Sequence, residues 1–254
     1  MLPPPRKTQK NATGAQMWGP SGGAIWSAPT LDLKRGLLYA GTGDYYSDPE
    51  EGLGVSVVAI EMATGKIAWS KQTLKGDRWN VACIAGDKVN CPKKEGPDLD
   101  FGSSPILRTL STGKQVLLAG QKSGEMHFLD PDNRGAVIRT VKVGQGGFLG
   151  GIEWGPAADE DKAYVAISGI EMNKPEAGGL TALQISTGEK LWHVPAAKPS
   201  CSGNLPCRAA QPAAVTSIPG VVFSGSLDGH LRIHAASNGR LLLESIPARR
   251  IHRR

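Results

Sequence analysis

The 254-residue sequence predicts an all-β protein built from four similar modules. First, 33 glycines and 18 prolines separate many short apolar runs. Second, these runs are rich in β-branched and aromatic residues, as β-strands are. Third, the same order of runs and turns recurs four times along the chain, which is the signature of a repeat architecture. Glycine-containing turns between such runs are typical of antiparallel hairpins, so we expect few or no helices.

Each module contains four short runs, which predicts a four-stranded antiparallel sheet. The first module extends from IWSAPTLD to IAWSKQ, and the second from SPILRTL to AVIRTVKV. The third extends from EWGPAADEDK to LWHV, and the fourth from QPAAVTSIPG to LLLES. Units of roughly 40 to 50 residues that each form one such sheet are the blades of a β-propeller. We therefore predict a partial propeller at 21–245, an N-terminal extension at 1–20 and a basic irregular tail at 246–254.

The order of the strands predicts which side chains meet. When strands A to D run up and down, the residues before strand A and after strand B lie at one end of the blade. The A–B and C–D turns lie at the other end, where ATGK, STGK, TGEK and SNGR fall. The first end receives six side chains: Trp26, Asp44, Asp100, Lys122, Glu153 and Trp154. The sequence thus predicts carboxylates, an ammonium group and aromatic rings around the mouth of the channel.

The glycine-containing turns at the opposite end of the blades are predicted to be structural hairpins and not binding sites. STGK lacks the upstream glycine of a phosphate loop and lies between two strands, so a hairpin is the better interpretation. Trp69 and Trp192 follow such turns on the outermost strand, where an indole can cover the neighbouring blade's backbone and bury a large apolar area. The second and fourth modules have Arg139 and Leu243 at this place.

Charge and hydropathy argue against two classes of partner. The formal charge of +6 is concentrated in the first ten and last nine residues, which hold seven cationic residues and no acidic one. The body is near neutral and shows no basic stripe with interleaved aromatic residues, so we expect no nucleic-acid partner. No apolar run reaches the roughly 20 residues that a membrane span needs, and MLPPPRKTQK has no signal-peptide core.

The four cysteines form two close pairs, Cys83 with Cys91 and Cys201 with Cys207. Each pair lies in a loop rich in Gly, Pro and Asn, and no CxxC occurs, which favours disulfides over metal ligands. Disulfides indicate an oxidising compartment, whereas the sequence shows no export signal. This conflict, together with the abrupt end of the repeat at IPARRIHRR, leads us to expect a partial chain.

Seven segments of the chain carry a resemblance to a known family: GGAIWSAP, YAGTGDYYSDP, AIEMATGKIAW, DLDFGSSPIL, LLAGQKSGEMHFLDPD, LGGIEWG and VVFSGSLDGHLR. In this order they resemble the pyrroloquinoline-quinone (PQQ) dependent alcohol dehydrogenases, and within that family the branch that oxidises polyvinyl alcohol. The resemblance spans about 11–244 and implies a propeller of eight blades, of which four are present. It implies PQQ and Ca²⁺ as cofactors and an alcohol, small or polymeric, as substrate. It also implies a periplasmic enzyme. Because no haem-attachment C-x-x-C-H occurs, the electrons would pass to a separate cytochrome c.

The resemblance also implies which residues hold the cofactor. Trp26 would stack under the quinone ring, and Lys122 would contact the carbonyl oxygens of the quinone. Glu153, where the family often has Asn, would face the cofactor together with the adjacent Trp154.

For the metal and the chemistry, the resemblance implies two aspartates. Asp44 would bind Ca²⁺, a hard cation that prefers oxygen ligands. Asp100 would be the general base for alcohol oxidation, with Asp98 as a rival two residues earlier in DLDF. The family's calcium-binding glutamate comes from an earlier blade and has no counterpart here.

Three functions therefore stay open. The chain is a quinoprotein dehydrogenase or a fragment of one, a non-enzymatic propeller that serves as an assembly scaffold, or an inert truncated fragment. Acidic and basic groups that converge on the channel mouth are expected of an enzyme and not of a scaffold. His230 and His234 share a strand face, but a pair without a third ligand does not predict a metal site.

Overall fold

The computed structural model describes residues 3–171, 178–199, 208 and 210–245. Four antiparallel sheets of four strands each follow one another along the chain, and the strand order within every sheet is the chain order. This confirms the predicted all-β class and the meander of each module. A separate two-stranded hairpin, which the sequence did not predict, precedes them at β1 (Arg6–Lys10) and β2 (Gln16–Gly19).

The strands of the four blades are numbered on from this hairpin. Blade 1 contains β3 (Thr30–Asp32), β4 (Leu37–Gly41), β5 (Ser56–Glu61) and β6 (Ile67–Gln72). Blade 2 contains β7 (Ile106–Thr109), β8 (Gln115–Gln121), β9 (Glu125–Asp130) and β10 (Ala136–Lys142). Blade 3 contains β11 (Ala157–Ala158), β12 (Lys162–Ala166), β13 (Leu180–Gln184) and β14 (Lys190–Val194). Blade 4 contains β15 (Thr216–Ile218), β16 (Val221–Gly225), β17 (Leu231–Ala235) and β18 (Leu241–Ser245).

The core lies between neighbouring blades. One buried cluster joins blades 1 and 2 through residues such as Tyr39, Phe101 and Leu117. A second cluster joins blades 2 and 3, and a third joins blades 3 and 4. The second and third strands of each blade supply most of these side chains. The blades therefore pack face to face through their two middle strands.

The outermost strands make a repeated contact with the next blade. A β-carbon built on Gly135 of blade 2 would lie 2.4 Å from Cζ3 of Trp69, and one built on Gly239 of blade 4 would lie 2.7 Å from Cε3 of Trp192. Only glycine leaves room for these rings, and Trp192 Nε1 also donates to the carbonyl of Ala236 at 3.1 Å. The predicted role of the two indoles as covers for the neighbouring blade is confirmed.

A long loop joins blades 1 and 2 and contains a short 3₁₀ helix at Val81–Cys83. A disulfide joins Cys83 to Cys91, with their Cα atoms 4.7 Å apart, as the sequence predicted. The second predicted pair, Cys201 with Cys207, lies outside the described residues. Among the described residues, no helix has the length and apolar character that crossing a membrane requires.

Candidate functional site

Asp100 lies at the centre of the site and connects blades 1 and 2. It precedes β7, whereas Trp26 precedes β3 and Asp44 follows β4, so all three lie at the same end of the blades. Asp100 Oδ2 accepts hydrogen bonds from Trp26 Nε1 at 3.3 Å and from the backbone N–H of Asp44 at 3.2 Å. Trp26 and Asp44, which are 18 positions apart in sequence, therefore both donate to one oxygen atom of Asp100.

Lys122 follows β8 and brings a positive charge to this carboxylate. Its Nζ lies 3.0 Å from Oδ1 of Asp100 and 3.0 Å from Oδ1 of Asp98. The same nitrogen lies 5.2 Å from the centre of the Trp26 ring, within the range of a cation–π contact. Lys122 and both aspartates are buried, so water weakens these contacts little.

Glu153 and Trp154 enter the site from the segment before β11 of blade 3. Glu153 is 3% exposed, and among the described residues its Oε2 has no hydrogen-bond partner. Trp154 packs edge-on against Trp26, with 6.1 Å between ring centres and 83° between ring planes. Both indoles stay partly exposed, at 38% for Trp26 and 45% for Trp154, so their rings line the opening of the site.

Two glycines allow these groups to come this close. A β-carbon at Gly102 would lie 2.6 Å from Cη2 of Trp26 and 2.8 Å from the carbonyl oxygen of Glu153. A β-carbon at Gly43 would lie 3.0 Å from Asp100 Oδ2. The glycines of GTGD and DFGSS thus have a steric role in seating the tryptophan and the aspartate.

Asp77 belongs to the site although no motif pointed to it. Its carboxylate accepts the backbone N–H groups of Asp98 at 2.8 Å and Leu99 at 2.7 Å, and it is fully buried. The segment that carries Asp98 and Asp100 is therefore fixed by a third aspartate more than twenty residues earlier. Asp98 has the left-handed backbone conformation (φ +55°), which is uncommon outside glycine and which these two bonds help to hold.

The site buries an excess of negative charge. Burial, together with the charges of Asp98 and Asp100, raises the pKa of Asp44 to about 8. Burial raises the pKa of Asp98 to about 7 even though Lys122 opposes it, and in the same way raises the pKa of Glu153 to about 7. Burial alone would lower the pKa of Lys122, but the two adjacent aspartates raise it to about 12. Among the described residues, five carboxyl groups thus lie near one lysine, which contacts two of them directly.

This donor set fits a hard cation. Asp44, Asp98 and Asp100 each present an oxygen, and these three oxygens lie within 4.8 Å of one another. Ca²⁺ takes six to eight oxygen ligands at about 2.3–2.6 Å, and it would neutralise charge that is unfavourable to bury. The partly exposed Trp26 ring beside the carboxylates fits a flat ligand with oxygen atoms that can bind a cation. The unpaired Oε2 of Glu153 fits a hydrogen-bond donor on the same ligand.

Comparison with known proteins shows that the chain is similar to PQQ-type β-propellers. Residues 2–86 match the family described as glucose/ethanol/alcohol dehydrogenase, beta-propeller domain, and residues 56–251 match the family described as outer membrane protein assembly factor BamB. The chain is 44% identical to the polyvinylalcohol dehydrogenase of a Pseudomonas species and 43% identical to that of Sphingopyxis sp. (strain 113P3). Each alignment covers 94% of this chain but 37% of the relative.

Solved structures show the same fold at low identity. The quinohemoprotein alcohol dehydrogenase ADHIIG of Pseudomonas putida HK5 superposes with a TM-score of 0.62 at 15% identity, over 89% of this chain and 41% of that one. The quinohemoprotein alcohol dehydrogenase of Comamonas testosteroni gives a TM-score of 0.58 at 19% identity, with the same two shares.

The blades and the segments matched by the family models together define a β-propeller of the PQQ type. The repeated four-stranded sheets and the matched segments agree on this class. The chain belongs to the family of PQQ-type β-propeller domains. It spans just over a third of the length of the polyvinylalcohol dehydrogenases that it matches.

Proposed function

We propose that this chain carries the cofactor site and the proton-accepting group of an alcohol dehydrogenase that uses PQQ and Ca²⁺. One observation carries the proposal: within the described part of the chain, five carboxyl groups and a single lysine are buried beside a partly exposed indole at one end of blades 1 to 3. A propeller needs no such cluster for its stability, because the blades already bury three apolar interfaces. The 44% identity to a polyvinylalcohol dehydrogenase favours an alcohol-bearing substrate, including a polymeric one.

The geometry supports one set of binding roles. Asp44, with Asp98 beside it, would hold Ca²⁺, and the free face of Trp26 would carry the flat ring of PQQ. Lys122 would donate hydrogen bonds to the oxygens at the ring edge, and Oε2 of Glu153 would accept a hydrogen bond from a donor on the ligand. When bound, the quinone supplies the two-electron acceptor for the hydride of the alcohol, and Ca²⁺ supplies Lewis-acid polarisation.

The proton of the alcohol hydroxyl goes to Asp100 in this proposal. Trp26 Nε1 and the backbone N–H of Asp44 both donate to one oxygen of Asp100. These two hydrogen bonds fix the orientation of the carboxylate. Lys122 stabilises the negative charge before the proton arrives. Asp98 shares the same lysine at the same distance and stays the rival base.

The acceptor and the compartment are also proposals. The disulfide between Cys83 and Cys91 suits an oxidising compartment, so we propose that the enzyme works in the periplasm. Electrons would then leave to a separate cytochrome c.

Two alternatives have to be distinguished. The match of 56–251 to the description of an outer membrane assembly factor favours a scaffold, and an inert truncated propeller would need neither cofactor nor substrate. Neither alternative explains why Asp44, Asp98 and Glu153 are buried, although burial disfavours their charged forms and raises their pKa values to about 7–8.

A chimera tests the proposed function. The matched segment of the Pseudomonas polyvinylalcohol dehydrogenase is replaced by this chain, the protein is loaded with PQQ and Ca²⁺, and dye-linked alcohol oxidation is measured.

An active chimera should lose about 10²–10⁴ in kcat with Asp100→Asn, since general-base catalysis is typically worth that much, while PQQ binding stays close to normal. Loss with Asp98→Asn and full turnover with Asp100→Asn would move the role to Asp98. A correctly folded chimera that binds PQQ without turnover would contradict the proposal.

A further inference from the structure

Gln121, the last residue of β8, has a side-chain amide that forms four hydrogen bonds. The residue is 2% exposed, so water competes little for these bonds. Nε2 donates to the carbonyl oxygen of Leu99 at 2.7 Å and to Thr73 Oγ1 at 3.1 Å. Oε1 accepts from Ser123 Oγ at 3.0 Å and pairs with Nε2 of His127 at 2.7 Å. A glutamine amide has two N–H donors and two acceptor positions, so this side chain is fully used.

The bond to Leu99 reaches the segment that carries the two aspartates beside the lysine. Leu99 lies between Asp98 and Asp100, and its backbone N–H donates to Asp77 at 2.7 Å. Its carbonyl oxygen accepts from Gln121. The peptide groups on both sides of Leu99 are therefore held by buried side chains. Because each peptide group is planar, these two bonds together set the directions in which both aspartates leave the chain.

Gln121 also joins the other parts of the site through its main chain. Its carbonyl oxygen accepts the backbone N–H of Ile152 at 3.1 Å, and Ile152 directly precedes Glu153. The next residue, Lys122, donates its own backbone N–H to the carbonyl of Asp100 at 3.0 Å. One residue of β8 thus connects the segment with the aspartates to the lysine and to the glutamate.

His127 and Thr140 fix the direction of the amide. A reversed amide would place Oε1 of Gln121 against the carbonyl oxygen of Leu99, which are both acceptors, so Oε1 faces His127 and Nε2 of that ring carries the hydrogen. Burial lowers the pKa of His127 and favours the neutral ring, whose Nδ1 is then an acceptor. The hydroxyl of Thr140 lies 3.0 Å from this nitrogen and donates to it. Three hydrogen bonds thus lead from an exposed threonine to Leu99.

We propose that Gln121 is a positioning residue for the two aspartates that flank Leu99. It acts through the carbonyl of Leu99, and His127 and Thr140 keep its amide in the one orientation that can donate there. The inference rests on the proposed function, in which one of these aspartates helps to hold Ca²⁺ and the other accepts the proton of the alcohol.

The mildest test removes the outermost hydrogen bond. Thr140→Val keeps the shape of an exposed strand residue but removes the hydroxyl, so the hydrogen of His127 can move to Nδ1 and Nε2 no longer donates to Gln121. Valine suits a strand, and the fold should stay intact. Thr181→Val is the matched control, because Thr181 Oγ1 forms the same bond to Nδ1 of His193 at 2.9 Å in blade 3, where the histidine is exposed.

Two further positions act on the amide directly. Gln121→Leu keeps the approximate size of the side chain and removes all four hydrogen bonds. His127→Leu removes the donor to Oε1, whereas His127→Gln restores it, because a glutamine amide has an N–H that can replace the imidazole N–H. Urea titration and far-UV circular dichroism check that each variant folds.

Two measurements report on the chain itself. Amide hydrogen exchange of the peptide 98–101, read by mass spectrometry, follows the segment without cofactor, and calorimetric titration follows Ca²⁺ binding. Gln121→Leu and His127→Leu should exchange faster at 98–101 and bind Ca²⁺ about 10–100-fold more weakly, the usual effect of losing a group behind a metal ligand. Thr140→Val should weaken binding by about 2–10-fold, the size of one neutral hydrogen bond. Thr181→Val and His127→Gln should match the wild type.

Three results would overturn the inference. Exchange and Ca²⁺ affinity that stay unchanged in Thr140→Val, His127→Leu and Gln121→Leu show that the segment does not depend on the amide. Weaker binding that comes with faster exchange throughout blade 2, and that His127→Gln does not restore, shows a role in the fold alone. A wild-type chain that binds no Ca²⁺ refutes the proposed function, and the inference with it, even where exchange at 98–101 changes.

Discussion

Asp77 shows how a residue without a motif controls the site. Its two oxygens accept the N–H groups of Asp98 and Leu99, so it sets the path of the segment that leads to Asp100. It touches neither Trp26 nor Lys122 through any hydrogen bond, and we therefore regard it as a positioning residue. Groups of this kind behind metal ligands typically contribute a factor of about 10–100 to metal affinity.

Asp77→Asn should accordingly weaken Ca²⁺ binding by about 10–100-fold while the fold is retained. The amide keeps one acceptor oxygen, but its NH₂ group would face the N–H that the second carboxylate oxygen accepts. Calorimetric titration with Ca²⁺ measures the effect, and far-UV circular dichroism checks the fold. Asp159→Asn is the matched control, since Asp159 Oδ1 accepts two backbone N–H groups in a turn remote from the site. Equal calcium affinity in wild type and Asp77→Asn would refute the positioning role.

At the scale of elements, the blade interface depends on a few side chains on the outer strands. Trp69 is 7% exposed, covers Gly135 and packs at 5.6 Å against the ring of Tyr39. It closes the apolar cluster between blades 1 and 2. Trp18 of the hairpin β1–β2 follows Gly14 at the same distance in sequence as Trp69 follows Gly65, but its side chain is 53% exposed.

Trp69→Ala should reduce the free energy of unfolding by about 3–5 kcal/mol, because it removes buried apolar surface and leaves a cavity. Trp18→Ala should change it by no more than about 0.5 kcal/mol, as is usual for an exposed side chain. Urea titrations followed by circular dichroism compare the two. Similar losses in both variants would show that Trp69 is not a structural cover.

The blades were predictable because their pattern is local. Each module repeats four short apolar runs, and almost every turn between them has its own glycine, so the same meander can be recognised four times in the sequence. The hairpin β1–β2 went unpredicted although NATG repeats the turn pattern, because only two strands accompany it. Asp77 went unpredicted because its partners are backbone N–H groups, which leave no signal in the side chains of the sequence.

At the scale of the whole molecule, strand parity brings distant residues together. Trp26 and Asp100 are 74 residues apart in sequence, and the rule that places them at one end needs only the number of strands between them. The rule does not give distances, so it could not tell Asp98 from Asp100 or show that one lysine contacts both. Those facts depend on how the loop between blades 1 and 2 folds around Asp77.

The measurement that tests the central claim most directly is calcium-dependent binding of PQQ to the chain, followed by calorimetry. We expect one PQQ per chain when Ca²⁺ is present and at least about tenfold weaker binding when EDTA removes it, since the cation offsets the buried carboxylates. Asp44→Asn should weaken the calcium dependence, and Trp26→Ala should weaken PQQ binding at every calcium concentration. Binding of PQQ that is the same with Ca²⁺, with EDTA and in both variants would contradict the account.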